Sequence, residues 1–174
     1  MITLENLEFE KDMHELFEYI CNGEQYLFST RLGFNSEGEF SEWIKNRINS
    51  EFHDFFMIKK AEKNIGYVHN YDFNLNDGHC KITVFVEQSY RKLGLGGIAT
   101  IMFMDYLFKQ YPFNKIYIDI YEYNEESLMS NMKAGFEEEG ILKEYRYYSG
   151  KYYDIHILSM GKEKFNKTLR ELVH

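Results

Sequence analysis

The 174-residue sequence has one proline, one tryptophan and two cysteines. Cys21 and Cys80 are too few and too far apart for a disulfide framework, which sets the chain apart from the small stapled domains of oxidising compartments. Long apolar runs are missing as well. None approaches the ~20 residues that span a bilayer, and the opening Met1-Ile2-Thr3-Leu4-Glu5-Asn6 has no basic segment leading into an apolar stretch. The chain therefore reads as cytoplasmic, with no membrane partner. Positive charge is in deficit: 20 Lys and Arg stand against 28 Asp and Glu, a net charge of -8. Nonspecific nucleic-acid binding leans on a basic surface, so no nucleic-acid partner is expected. A negative surface favours solubility and attracts cations such as a free amine or a polyamine. The six histidines, at 14, 53, 69, 79, 156 and 174, show no ligand-like pairing, so no metal centre is expected.

The length suits one domain with a sizeable core. Aromatic residues reach 18%, which favours a strand-rich fold with amphipathic walls. Residues 3–9 alternate as a first strand. Asp12 is placed to cap a helix through Ile20, and Phe40, Trp43, Ile44, Arg47 and Ile48 recur at helical spacing. Residues 55–60, 64–73 and 79–86 read as an antiparallel meander, with turns at Glu62-Lys63-Asn64 and Asn76-Asp77-Gly78. A helix over 97–108 follows and ends before Pro112; residues 115–121 form the next strand. Strand, helix and strand in that order make Val84 and Ile118 parallel neighbours. Asn124 caps a helix that Gly135 ends. Strands over 136–142 and 152–160 meet at Ser149-Gly150, and 162–174 is a polar terminal helix. No linker or repeat divides the chain, so one α/β (α+β) domain over 1–174 is expected.

The segment with chemistry in it is Arg91-Lys92-Leu93-Gly94-Leu95-Gly96-Gly97, between the strand ending at Val86 and the apolar helix that follows. Glycines there let backbone approach a ligand, successive N–H groups converge on an anion, and the helix start adds unpaired donors and a favourable dipole end. Arg91 and Lys92 add charge suited to a pyrophosphate. The Gly-Lys-Ser/Thr ending of a nucleoside-triphosphate loop is absent, as are the three spaced glycines of a dinucleotide fold.

Arg91-x-x-Gly94-x-Gly96 resembles the acyl-CoA loop of the GNAT N-acetyltransferase superfamily, Gln/Arg-x-x-Gly-x-Gly/Ala. Asn124-Glu125-Glu126-Ser127, Gly135-Phe136 and Glu139-Gly140 resemble its second cofactor region. The run from Tyr145 to Asp154 is similar to the branch that acetylates ribosomal-protein N-termini or polyamines. The resemblance covers about residues 55–160. It implies a mixed central sheet, splayed around acetyl-CoA and flanked by helices, with an acceptor-side helical arm at about 12–50. It further implies that backbone groups of Val84, Phe85 and Val86 pair with the pantetheine amides. Arg91, Lys92, Leu93, Gly94, Leu95, Gly96 and Gly97 would hold the pyrophosphate, and Asn124 and Ser127 the pantetheine arm.

Acetyl transfer to an amine needs a neutral amine held near the thioester, and donors for the developing oxyanion. An N–H at Phe85 or Val86 is the expected donor. Relatives that modify the ribosomal N-terminal alanine carry a glutamate five residues before the motif asparagine. Asp119 holds that position here and is the expected base, on one strand face with Tyr117 and Tyr121; Glu87 is its rival. The family's acid is a tyrosine seven residues after that asparagine. Asn131 stands there and cannot act as an acid. Tyr121 or Tyr123 then serves, or the thiolate leaves unassisted.

The acceptor walls are expected from Tyr26 to Ile48, near Asp72 and Asp77, and in the hairpin from Tyr145 to Tyr153. Glu37, Glu39, Glu42 and Glu144 add acidity, and His69, His79 and Tyr71 read as sheet surface or acceptor lining. A polyamine, a protein N-terminus, an aminoglycoside and an amino-sugar all fit such walls. A homodimer is compatible with the chain. The alternative is a non-catalytic acyl-CoA-binding or sensor protein, favoured by Asn131.

Overall fold

The computed structural model describes residues 1–22, 33–51 and 54–173. Within them lie seven strands: β1 (Ile2–Asn6), β2 (Phe55–Lys60), β3 (Lys63–Asn74), β4 (His79–Val86), β5 (Lys115–Tyr121), β6 (Glu137–Tyr148) and β7 (Lys151–Gly161). Five helices accompany them: α1 (Phe9–Phe17), α2 (Glu37–Ser50), α3 (Leu95–Gln110), α4 (Glu125–Lys133) and α5 (Lys162–Val173). The strand order is β1-β2-β3-β4-β5-β7-β6. This is the mixed α/β arrangement expected. None of the described helices is long and apolar enough to cross a membrane.

The backbone groups into two compact units, and β4 and α3 contribute residues to both. The first unit holds Met1–Phe73 and Thr83–Phe103. Here β1 pairs antiparallel with β2, and β2 with β3. Leu16 of α1, Phe40 and Ile44 of α2, and Met57 of β2 are buried in one cluster with Tyr67 and Phe85. Full burial of such apolar side chains stabilises the fold by about 1.5–3 kcal/mol each. Helix α1 begins at Phe9, three residues before the expected Asp12 cap, and the expected strand over 3–9 stops at Asn6. Asp12 still serves the helix start: its Oδ2 accepts from the Glu8 N–H at 2.8 Å. Its buried Oδ1 accepts from Asn64 Nδ2 at 2.9 Å. Ser36 caps α2, accepting from the Glu39 N–H at 3.2 Å.

The second unit holds Asn74–Ile82 and Met104–His174. The parallel ladder sets His79, Cys80 and Lys81 against Lys115, Ile116 and Tyr117. Tyr117 thus faces Lys81, so Ile118 is not in register with Val84 as expected. On its other edge β5 pairs with β7 from Lys115 to Tyr121. Strands β6 and β7 meet at Ser149 (φ 48°) and Gly150 (φ 84°), the backbone of a two-residue primed turn. β6 runs six residues past the expected 142, because the ladder absorbs a register shift between Leu142 and Arg146, with Glu144 at φ 50°. Helix α5 seats Phe165 against Phe108, ring centroids 5.3 Å apart.

Candidate functional site

In the first unit, β4 ends at Val86 and a 3-10 turn, Gln88–Tyr90, leads to Arg91. Helix α3 then starts at Leu95, two residues earlier than expected, so Gly96 and Gly97 lie in its first turn. The reason is local: the Ile98 N–H donates to the Gly94 carbonyl at 3.1 Å, which makes Gly94 the capping residue. Gly94 (φ 73°) and Lys92 (φ 63°) adopt left-handed backbone. A Cβ added at Gly94 or Gly97 would meet nothing within 4 Å, and one at Gly96 only Val86 Cγ2 at 3.7 Å. The protein's own packing therefore does not require glycine at 96 or 97. In a helix interior each glycine costs roughly 0.5–1 kcal/mol relative to alanine. A bare backbone beside the unpaired N–H donors of a helix start fits an approaching phosphate. The residues present thus suit the pyrophosphate of acetyl-CoA. Leu93 and Lys92 are exposed and Leu95 is half-buried.

The strand end next to this turn is densely tied. Phe85 and Val86 are buried and Val84 is half-buried. The Phe85 ring stacks on Tyr67 at 5.3 Å and tilts against Tyr19 at 5.4 Å. Arg91 Nε donates to the Val86 carbonyl at 2.8 Å. The Glu87 N–H donates to the Ile65 carbonyl at 2.8 Å, and its carboxylate accepts from Ser89 Oγ at 2.8 Å. His69 is buried, stacked on Phe55 at 5.4 Å and tilted against Tyr71 at 5.8 Å. Burial lowers its pKa to about 3, so the ring is neutral at working pH, and it is not the sheet-surface residue expected. Trp43 packs against Phe34 at 5.3 Å with Arg47 over its ring at 5.0 Å, as a packing residue of the arm. Tyr26 and its neighbours 23–32, expected in the acceptor wall, lie outside the described residues.

In the second unit, Asp119 sits mid-strand on β5. Its Oδ2 accepts from Lys81 Nζ at 2.8 Å, while its Oδ1 is buried with no hydrogen-bond partner among the described residues. The ladder explains the pairing, since Lys81 faces Tyr117 and Asp119 lies two residues on. His79 meets Tyr117 edge-on at 5.7 Å. Tyr121 lies under the Arg146 guanidinium at 5.3 Å and stacks on Tyr123 at 5.3 Å. Tyr123 in turn meets Tyr153 at 4.9 Å and Tyr148 at 5.5 Å. Burial pushes the Tyr123 hydroxyl above the usual phenol range, and a hydrogen bond with Arg146 pulls the other way. Asn124 occupies the cap position of α4, yet its side chain makes no capping hydrogen bond. Asn131 donates through Nδ2 to the Ser127 carbonyl at 2.8 Å and to Ser127 Oγ at 3.3 Å. The residue at the usual acid position is thus turned back into its own helix.

Three of the acidic residues expected around the acceptor are engaged with neighbours. Glu37 contacts His14 at 3.1 Å, Glu39 accepts from the Asn35 N–H at 3.0 Å, and Asp77 from Asn74 Nδ2 at 2.7 Å. No cluster among the described residues has the composition of a metal site. Three residues that shape these sites escaped the sequence reading. Gly66 was signalled as a lone glycine inside a strand pattern. Lys81 was signalled by alternation opposite Asp119. Arg146 had no signal beyond its place among tyrosines.

Residues 8–157 match the family model described as an acetyltransferase (GNAT) domain. The chain is 23% identical over 130 residues to a prophage-derived uncharacterized N-acetyltransferase, YokL, of Bacillus subtilis, covering 75% of this chain and 73% of that protein. It is 23% identical over 133 residues to the spermidine N(1)-acetyltransferase of Vibrio cholerae, covering 76% and 77%. A solved structure of spermidine N-acetyltransferase from Vibrio cholerae, in complex with CoA and spermine, has the same fold. Its TM-score is 0.82 at 22% identity, over 95% of this chain and 98% of that one. With the family model spanning most of its length, the chain belongs to the GNAT acetyltransferase family.

Proposed function

We propose that this acetyl-CoA-dependent N-acetyltransferase works as one domain over 1–174 and takes a polyamine as its acceptor, transferring the acetyl group by direct attack of a primary amine in a ternary complex. The observation that carries the donor half is the bare backbone at Gly94, Gly96 and Gly97, where an added Cβ meets no closer atom than Val86 Cγ2. Leu93, Leu95 and these glycines supply the backbone of the pyrophosphate turn, with Arg91 and Lys92 beside it. Val84, Phe85 and Val86 present peptide groups to the pantetheine arm, which Asn124 and Ser127 also contact. Acetyl-CoA supplies an activated acyl thioester.

The protein's own groups do the rest. Asp119, whose Oδ2 is held by Lys81, accepts the amine proton directly or through a water. Glu87, whose carboxylate is tied to Ser89, is the second candidate base. An N–H at Phe85 or Val86 polarises the acyl oxygen. Tyr121, held under Arg146, serves the leaving sulfur in place of Asn131. The polyamine reading is supported by the net charge of -8 and by the tyrosines on β5–β7, since cations are attracted to such walls. It is further supported by the spermidine acetyltransferases among the similar proteins. A protein N-terminus, an aminoglycoside and an amino-sugar are the competing acceptors. A cytoplasmic setting and a homo-oligomer belong to the same proposal; one similar structure is a dodecamer.

A thiol-release assay with acetyl-CoA over spermidine, spermine, an aminoglycoside, an amino-sugar and N-terminal peptides tests the reading. Turnover greatest with spermidine or spermine supports it; turnover confined to another acceptor overturns the polyamine assignment. Firm acetyl-CoA binding with no release from any amine would favour the non-catalytic reading that Asn131's engagement with Ser127 suggests.

A further inference from the structure

Gly66 is buried in β3 at a point where two backbones nearly touch. A Cβ built there would stand 2.0 Å from the Phe85 carbonyl oxygen, and 3.0 Å from both the Phe85 carbonyl carbon and Val86 Cα. The atoms in the way are backbone, so no side-chain rotation relieves the clash. Gly66 is not among the residues with positive φ, so the site uses its missing side chain rather than its conformational freedom. The β2 ladder shows the matching irregularity. Ile58 faces Gly66 while Lys59 faces Asn64, which leaves Ile65 as the extra residue. The carbonyl of that extra residue accepts the Glu87 N–H at 2.8 Å. From the other side, Arg91 Nε donates to the Val86 carbonyl at 2.8 Å, and the guanidinium lies 5.6 Å from the Phe85 ring centre. Three contacts thus fix the consecutive peptides of Phe85, Val86 and Glu87.

We propose that Gly66 and Arg91 are positioning residues of the acetyl-donor site: Gly66 admits β3 against the Phe85–Val86 backbone, Arg91 clasps the Val86 carbonyl, and Arg91 acts on the donor through this strand end rather than through the phosphates. The proposal rests on the acetyl-CoA reading above. It assigns the arginine of the motif to strand geometry and leaves the anion to the N–H groups of the helix start. A lysine keeps the charge at position 91 but has no Nε–H in the guanidinium fork, so the two roles separate chemically.

The test uses the full chain with Arg91→Ala, Arg91→Lys and Gly66→Ala. NMR titration measures affinity for CoA and for pantetheine, which lacks the pyrophosphate, and amide hydrogen exchange is followed in the ligand-free protein. Arg91→Ala is expected to weaken both ligands by the same factor, about tenfold for the loss of one charge-assisted hydrogen bond. Lysine should restore neither, and exchange at the Glu87 amide should accelerate without ligand. Gly66→Ala should reproduce the pattern; if it fails to fold, the arginine variants alone decide. A loss confined to CoA, recovery with lysine, or unchanged Glu87 exchange would overturn the positioning role while leaving the acetyl-CoA reading intact. A wild-type protein that binds neither ligand would overturn both.

Discussion

Two of the places where a strand leads into a helix are built in opposite ways. At the corner from β4 to α3, the groups offered outward are backbone: glycines at 94, 96 and 97 with open space where side chains would be. At the corner from β5 to α4, the groups are side chains, and most have a partner. Asp119 is held by Lys81, Asn131 by Ser127, and Tyr121 by Arg146 and Tyr123. The first corner is suited to an anion that any chain of this family must hold. The second is a network of side-chain partners. In the proposed function, recognition of the donor rests on residue absence and the proton chemistry on residue pairing.

The largest effect is expected at Asp119, the proposed base of the second corner. Asp119→Asn keeps the shape but removes the acceptor for the amine proton. A general base contributes roughly 10²–10⁴-fold, so kcat should fall by at least about 100-fold while the KM for acetyl-CoA holds. The deficit should narrow as pH rises, because more of the amine then arrives neutral. Steady-state kinetics across pH checks this, and an unchanged rate removes Asp119 as the base. The first corner should respond in binding instead. Gly96→Val places bulk on the face kept bare and should weaken acetyl-CoA binding by about 10–100-fold, or roughly 1.4–2.8 kcal/mol. The smallest effect is expected at Asn131. Its amide is engaged with Ser127, so Asn131→Ala should cost about 0.5–1.5 kcal/mol of stability for one intrahelical hydrogen bond, and change kcat by less than about twofold. Thermal denaturation with parallel kinetics checks it, and a large drop in kcat would return Asn131 to the chemistry.

The contrast between the corners also explains what was legible beforehand. The bounds of β2, β4 and β5 coincide with the apolar runs that name them, because short strands between turn residues carry clear punctuation. The glycine turn was legible because its signal is local and backbone-based. Its helix start was misplaced by two residues, since glycine reads as loop although Gly94 is the actual cap. Asp12 was read as a cap by residue type, whereas its carboxylate serves the helix from inside the first turns. The pairs of the second corner were not legible. Lys81 and Asp119 are 38 positions apart, and only the β4–β5 register brings them together. Arg146 reaches the tyrosines through a register shift in β6 that no spacing rule announces. The acidic acceptor walls looked like a cation trap in sequence, but several of those carboxylates are engaged with neighbours, such as Glu39 with Asn35.

The central claim is that the bare backbone at Gly96 and Gly97 exists for the donor and not for the fold. Isothermal titration of acetyl-CoA into the wild-type chain and into Gly96→Val, with a thermal melt of each, tests it directly. The expected result is one donor bound per chain, a loss of about 10–100-fold in affinity on substitution, and a melting temperature that does not fall, because valine is a better helix former than glycine and its Cβ would meet only Val86 Cγ2 at ordinary contact distance. Equal affinity in the two proteins, or a fall in affinity matched by collapse of the fold, would contradict the account.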